Sequence, residues 1–182
     1  MTSFRQQLYD STIYRKSRDY FRDWVLEKPE LMKELTEVAF DPKHEFHFKA
    51  CWIIELITLS RIQLLVPYVD QLCDSAYAYQ NNSSIRVIAK TVFLIVKENY
   101  SKEPKLKLSE KQINQLTECC MDWLISDQKV ATKAHAAETL FILGKYKQWI
   151  YPELKQILSD GYNQHSPAYK ATARKILGKI KQ

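Results

Sequence analysis

Glycine is scarce in this chain, with three residues in 182, at Gly144, Gly161 and Gly178. Phosphate-binding loops of the G-x-G-x-x-G and Walker types need clustered glycines, so neither nucleotide-binding motif is present. The G-x-S-x-G elbow that carries the nucleophile of many hydrolases is also absent. The sequence thus excludes these common routes to nucleotide binding and to acyl-transfer catalysis.

Cysteine is present, but its spacing matches neither a metal site nor a disulfide framework. The four residues are Cys51, Cys73, Cys119 and Cys120, and no pair has the CxxC spacing. Cys119 and Cys120 are adjacent, so on a helix their side chains diverge by about 100°. We therefore expect reduced, partly buried thiols, and no metal or other cofactor.

Long hydrophobic runs are lacking as well. The most apolar stretch, around residues 50–59, is interrupted by Glu55 and is shorter than the ~20 residues that span a bilayer. The opening residues, MTSFRQQLYD, show no apolar core of the signal-peptide type. We therefore expect a cytoplasmic protein that does not bind a membrane.

Helical periodicity and a weak internal repeat are what the sequence does have. Four segments align without gaps from Lys49, Arg86, Lys133 and Lys170, and they read KACWIIELITL, RVIAKTVFLIV, KAHAAETLFIL and KATARKILGKI. Each has a compact residue one place after the cation, a mostly small residue three places after it, and large apolar residues seven and ten places after it. These positions share one side of a helix, so stacked copies must cover one another.

Turn and cap residues divide the chain into elements. Ser109 with Gln112 forms a capping box, Ser166-Pro167 suits a helix start, and Gly144 suits a helix end. Pro67 predicts a kinked or split helix. The prediction is a single all-α domain over 1–182, with an N-terminal helix over 1–28 and four helical hairpins over 29–60, 61–100, 109–146 and 149–182.

Parts of the second helix of each hairpin, here called the B helix, resemble the HEAT repeat. Ile85-Arg86-Val87-Ile88-Ala89 and Leu140-Phe141-Ile142-Leu143-Gly144 match parts of its V-R-x-x-A-x-x-A-L-x-x-L-G pattern. Pro67 resembles the proline of many first helices, and aspartates stand in the turns, at Asp41, Asp74, Asp127 and Asp160. The resemblance covers residues 29–182. It implies a HEAT-like or armadillo-like array of helical hairpins, an α-solenoid.

Basic residues are concentrated in the C-terminal third. Residues 129–182 contain 10 basic and 3 acidic residues, whereas residues 1–128 contain 17 and 18. Six cations at related B-helix positions form a candidate basic ladder: Lys49, Arg86, Lys90, Lys133, Lys170 and Arg174. In HEAT-like arrays the B helices line a concave face, where such a row suits phosphates. The alternative is structural, with the first cation of each repeat holding the loop aspartates of neighbouring repeats.

Candidate reactive groups are few. HEAT-like DNA-alkylation-repair glycosylases place tryptophans and an aspartate in a basic cleft, and Trp52 with Glu55 is the nearest match here, without any Trp-x-x-x-Asp. Because Glu55 falls between core positions of the repeat, we expect a paired, partly buried carboxylate. His44 and His47 have helical spacing but no third well-spaced ligand, so no metal site is predicted.

These observations favour a non-catalytic binding or scaffold module whose partner is a protein. The alternative is a nucleic-acid-binding protein that uses a basic concave face, as a remote relative of the repair glycosylases would. A purely structural or oligomeric role is the third interpretation.

Overall fold

The computed structural model describes residues 3–162 and 166–180, and within them the chain is helical without any β-strand, which confirms the all-α prediction. Three short 3₁₀ helices cover Pro29–Leu31, Ile62–Tyr68 and Ala76–Ala78. The α-helices are α1 (Phe4–Asp10), α2 (Arg15–Glu27), α3 (Met32–Ala39), α4 (His47–Arg61), α5 (Val69–Ser75), α6 (Asn82–Asn99), α7 (Glu110–Ile125), α8 (Val130–Leu143), α9 (Ile150–Asp160) and α10 (Pro167–Ile180).

Two compact units make up the chain, Met1–Lys107 and Leu108–Gln182. In the first unit α4 is the central helix and packs against α2, α3 and α6. In the second unit α8 has the same place and packs against α7, α9 and α10. Each unit is therefore built around one B helix. The prediction of a single repeat domain over 1–182 stays a prediction.

The repeat register places the small residues in the core. Ala89, Ala136 and Ala173, each three places after the repeat cation, are almost fully buried. Helices approach closely where such residues face each other, so the register explains why B helices can pack side by side. Leu59 departs from the register, since it is exposed and borders an open groove near the ends of α4 and α6.

The segment predicted as one N-terminal helix over 1–28 forms two helices, α1 and α2. The break follows Asp10: the Ser11 hydroxyl donates to the Leu8 carbonyl at 2.6 Å, and the Ser17 hydroxyl accepts the Thr12 N–H at 3.2 Å. Serine hydroxyls compete with helical hydrogen bonds in this way, and they close α1 without glycine or proline. α1 and α2 therefore form a hairpin of their own, in which the Phe4 ring packs against Phe21 and Trp24, while α1 contacts α3 and α2 contacts α4.

Most predicted helix boundaries are confirmed. Ser109 and Gln112 form the capping box at the start of α7, and the Ser166 hydroxyl accepts the Tyr169 N–H at 3.4 Å just before Pro167 opens α10. Pro67 lies within a 3₁₀ helix that splits α5 from α4. The predicted helix has thus been divided at the proline, as its missing N–H and fixed φ require.

Gly144 ends α8 as predicted, but for a different physical reason. Its φ is −61°, so the left-handed conformation that favours glycine is not used. A Cβ atom at this position would lie 2.2 Å from the ring of Tyr151. The glycine is needed because the first turn of α9 approaches the end of α8 closely.

The helical stretch His47–Ala78 is long and apolar enough to cross a membrane by length and composition alone, with a mean hydropathy of 1.5 over its most apolar window. The core helix of a compact unit passes the same test. Within this window 56% of the residues are buried, and α4 packs against three other helices. The central position of α4 therefore accounts for its apolar composition.

Candidate binding surfaces

Lys49, the first cation of the basic ladder, holds the end of α1. Its Nζ donates to the carbonyl oxygens of Tyr9 and, at 2.7 Å, of Ser11, and it lies 5.7 Å from the centre of the Tyr9 ring. The last carbonyls of a helix have no partner within that helix, and a cation satisfies them well. Lys49 thus fastens α4 to the C-terminal end of α1.

Lys133 has the same role in the second unit. Its Nζ donates to the carbonyl oxygen of Leu124, in the last turn of α7, at 3.1 Å, and only 6% of the residue is exposed. Burial lowers the pKa of Lys133, and the charge of Asp127 partly opposes that shift. The ammonium of Lys133 is therefore occupied inside its own hairpin.

The other ladder residues differ from one another. Lys170 places its Nζ 5.7 Å from the centre of the Tyr162 ring, just past the end of α9. Lys90 forms an ion pair with Glu55 at 2.6 Å. Arg86, half-buried on α6, and Arg174, exposed on α10, form no hydrogen bond or ion pair with the described residues. That the ladder as a whole forms a binding face stays a prediction.

At Asp41 and Asp127 the structural alternative, in which turn aspartates hold the first cations by hydrogen bonds, is not observed. The Asp41 carboxylate accepts the N–H of Lys43 at 3.0 Å, which closes its own turn. Asp127 acts on Lys133 through its charge alone. Lys49 and Lys133 instead bind backbone carbonyls at helix ends. The structural role is thus observed, but with a different acceptor.

Trp52 and Glu55 are each engaged by neighbouring helices. The Trp52 indole N–H donates to the Ser83 hydroxyl on α6 at 2.9 Å, and the Arg18 guanidinium on α2 lies 5.5 Å from the ring centre. Glu55 is 8% exposed and paired with Lys90, which confirms the paired, buried carboxylate expected from its repeat position. A base-excision role would need an accessible carboxylate, whereas the Glu55 carboxylate is nearly buried and its charge is paired with that of Lys90.

His44 and His47 are joined by a hydrogen bond, and the His47 ring packs near Tyr79. The Nδ1–H of His47 donates to the His44 carbonyl at 2.8 Å, and its ring lies 5.6 Å from that of Tyr79. Among the residues that the structure describes, no three His, Cys, Asp or Glu side chains cluster as metal ligands would. All four cysteines are thiols outside any disulfide, and they are fully buried where partly buried thiols were expected. Burial raises the pKa of Cys51 and of Cys120 to about 12.

An exposed aromatic groove occurs where α1 is joined to α2. Tyr14 is 72% exposed, Ile13 66% and Tyr20 54%. The groove has a volume of about 720 Å³. We call this surface the N-terminal groove, and it is lined by Thr12, Tyr14, Lys16, Ser17 and Tyr20, with Ile13 beside Tyr14. Sequence analysis missed it because the aromatic residues fitted the core of a continuous helix.

The N-terminal groove is held in place by its surroundings. Lys49 binds the Ser11 carbonyl on one side of the link, and the Ser17 hydroxyl accepts the Thr12 N–H on the other. The Tyr20 ring lies 5.8 Å from Trp24 and 5.4 Å from Phe21, which is buried. The apolar side chains are therefore presented on a fixed backbone rather than on a loose loop.

A second exposed aromatic pair lies on the link from α8 to α9. Tyr146 is 58% exposed and Trp149 57%. Between them, Lys147 is paired with Glu110 and, at 2.9 Å, with the Asn114 side chain, both on α7. This contact anchors the link to α7 while the two rings face solvent.

Comparison with known proteins gives one match. A family model described as a HEAT repeat domain matches residues 4–180. The match includes α1 and α2, which the sequence pattern had left outside the repeats. No curated protein and no solved structure matches significantly.

Proposed function

The chain belongs to the HEAT repeat family, and on that premise we propose that it is a non-catalytic scaffold that binds a protein partner through the N-terminal groove. HEAT repeats are scaffolds that commonly mediate protein–protein interactions. Their hairpins present side chains at fixed positions, which suits recognition rather than bond-making. The N-terminal groove provides such a surface in the first hairpin.

The observation that carries this proposal is that two exposed tyrosines, Tyr14 and Tyr20, line one groove, with the exposed Ile13 next to Tyr14 in sequence. Ile13, Tyr14 and Tyr20 each have more than half of their surface in water. Single exposed apolar residues are ordinary, whereas clustered ones rimmed by polar groups are typical of interaction sites. Tyrosine is also enriched at the centres of protein interfaces, because one ring gives a large contact area and one hydrogen bond.

The charged residues at the edge of the N-terminal groove indicate what kind of partner would fit it. Lys16 lines the groove, is exposed, and forms no ion pair with the described residues. Its neighbour Arg15 already binds Asp19 at 2.9 Å. A partner that fits would place an apolar side chain against Tyr14 and a carboxylate near Lys16. Because the groove is fixed before binding, little conformational entropy is lost on association.

The pairing of the ladder cations argues against a nucleic acid bound along the ladder, and so favours a protein as the partner. Lys49 and Lys133 are committed to backbone carbonyls, and Lys90 to Glu55. An electrostatic nucleic-acid face needs cations that are available to phosphates. The pairing of Glu55 likewise supports a non-catalytic role.

The test compares two variants of the full chain in capture from native lysate, followed by titration of the captured protein. The double variant Ile13→Ser, Tyr14→Ala should bind the partner with about 30-fold lower affinity, the size of effect expected for hot-spot residues. Tyr77→Ala removes an exposed tyrosine elsewhere in the first unit and should leave binding unchanged. Thermal unfolding followed by circular dichroism checks that both variants stay folded. Equal binding by the groove variant and the control would refute the proposal.

A further inference from the structure

Charge is separated by element in the second unit. α7 contains three acidic residues, Glu110, Glu118 and Asp122, against one basic residue, Lys111, and Asp127 lies two residues beyond its end. Residues 129–182, which include α8, α9 and α10, contain 10 basic and 3 acidic residues. Of those three acids, Glu138 is paired with Lys175 at 3.0 Å. α8 itself has no net charge, with Lys133 and Glu138, so the excess of positive charge lies on α10, which has four cations and no acidic residue.

Two cations, one on the link from α8 to α9 and one on α10, approach the same ring. The Nζ of Lys145 lies 5.4 Å from the centre of the Phe141 ring, and the Nζ of Lys179 lies 5.8 Å from the same centre. Neither ammonium forms an ion pair with any residue that the structure describes. Both ammonium groups approach the same ring and so lie at most about 11 Å apart. A bound anion would reduce the repulsion between these like charges. This pair of cations is a better candidate for phosphate binding than the occupied ladder residues.

The link from α8 to α9 adds two exposed rings to these cations. Lys145 is followed at once by Tyr146, and Trp149 comes three residues later in consecutive turns of the backbone. Tyr151, just beyond, stacks on Phe141 at 5.8 Å and ties the start of α9 to the ring that both lysines approach. Exposed rings beside unpaired cations are the combination that binds single strands, because bases stack on the rings and phosphates meet the cations.

We infer that the second unit binds single-stranded nucleic acid, with bases stacked on Trp149 and Tyr146 and phosphates bound by Lys145 and Lys179. The site is independent of the N-terminal groove, which lies in the first unit. A duplex fits less well, since its bases are already stacked and cannot use the rings. A lipid surface also fits less well, because Ile150, the aliphatic residue next to Trp149, is buried rather than available for insertion.

The first experiment follows fluorescence anisotropy of a labelled oligothymidylate titrated with the full chain at low salt. Trp149→Ala should weaken binding by about 5-fold to 150-fold, the range for losing one stacked base. Lys179→Ala should lower the slope of log K against log salt by about 0.7, the value for one single-strand phosphate contact. Ile125→Ala, at the end of α7, and Lys129→Ala, just before α8, are at exposed positions of the second unit; they are the matched controls and should change neither quantity.

A second readout separates stacking from a general loss of structure. A base stacked on an indole quenches its emission, so the oligothymidylate should quench the wild-type tryptophan signal. Trp149→Phe keeps a ring for stacking, so it should retain most of the affinity and lose the quenching. Quenching that persists in Trp149→Phe would overturn the inference, as would equal losses in the control variants.

The same proteins are then mixed with vesicles containing phosphatidylserine. Co-sedimentation that Trp149→Ala abolishes, without oligothymidylate binding at low salt, would overturn the inference in favour of a lipid surface. Loss of oligothymidylate binding in the Ile13→Ser, Tyr14→Ala variant would also overturn it, because that variant leaves the second unit intact.

Discussion

The first unit contains no glycine, whereas all three glycines of the chain lie in the second unit. Gly144 and Gly161 follow the last residues of α8 and α9, and their φ angles of −61° and −74° lie outside the left-handed region. Lysine side chains satisfy helix-end carbonyls in both units, Lys49 at the end of α1 and Lys133 at the end of α7. The difference in glycine therefore concerns packing, since Gly144 leaves room for the Tyr151 ring.

The first cation of the repeat shows a further difference in how the helices of the two units are joined. Lys49 reaches a carbonyl 38 residues away, in another hairpin, whereas Lys133 reaches one nine residues away, in its own hairpin. The same repeat position therefore ties hairpin to hairpin in the first unit and closes one hairpin in the second. The repeat position therefore determines the residue type, a basic residue, but not how far along the chain its hydrogen-bond acceptor lies.

Removing the cation should affect the two units unequally. Lys133→Ala leaves the buried Leu124 carbonyl without its donor and removes a buried aliphatic stem, so we expect a loss of about 3 kcal/mol in unfolding free energy. Lys49→Ala exposes its acceptors to water and should cost about 1 kcal/mol. Urea unfolding followed by circular dichroism measures both. Equal losses would break the comparison.

Overpacking should affect the two units alike. Ala89 and Ala136 occupy the same repeat position and are almost fully buried. Leucine at either position forces neighbouring helices apart, so each variant should lose about 2 kcal/mol in the same assay. Ala171→Leu is the control, because this alanine is exposed on α10 and its replacement should be nearly neutral. A variant at Ala89 or Ala136 that unfolds like the wild type would contradict the shared register.

Alkali should distinguish the units again. Burial raises the pKa of Cys51 and of Cys120 from 9.0 to about 12, and raises that of Tyr79 as well. Above pH 9 the unfolded chain releases these thiol protons while the folded chain keeps them. Stability is therefore full below pH 9 and falls towards pH 12, by roughly 1 kcal/mol per pH unit for each thiol.

Lys133 gives the second unit an opposite contribution. Its pKa is lowered, so the unfolded chain binds the extra proton and this term raises stability as pH climbs towards 10.5. Burial raises the pKa of Tyr151 and Tyr169 too, which offsets part of the gain. We expect the first unit to open at lower pH, seen in the methyl signals of Ile88 before those of Ile150. Cys51→Ala should reduce the difference between the pH values at which the two signals are lost. Loss of both signals at the same pH in the wild type would contradict the prediction.

The glycines themselves give the smallest expected effects. Gly144→Ala pushes against the Tyr151 ring and should cost about 1 kcal/mol. Gly178→Ala meets no atom within 4 Å on exposed helix α10 and should stabilise the chain by about 0.5 kcal/mol through helix propensity. Melting temperatures that move in opposite directions would support the close approach of α9 to α8.

Much of the fold was readable because local chemistry and packing agreed. The burial of Ala89, Ala136 and Ala173 followed from helical spacing, and the capping box at Ser109 followed from residue types alone. The burial of Glu55 also followed from its place between core positions. In each case one helix contains enough of the information.

The remainder depended on contacts between helices. The break after Asp10 has no glycine or proline to mark it, and the Ser11-Thr12 pair that makes it is a weak signal in sequence. The acceptors of Lys49 could not be foreseen, because they are carbonyls of α1 brought close by the packing of α4. The same packing decides that Tyr20 is exposed and Phe21 buried, although both are aromatic neighbours on α2.

The tie between Lys49 and the end of α1 also has a mechanical meaning. A partner pulling on Ile13 and Tyr14 would load the backbone at Ser11, whose carbonyl Lys49 holds. Tension would then pass through one lysine side chain into α4, the helix against which three others are packed. A force applied at the N-terminal groove would in this way reach α4, the central helix of the first unit.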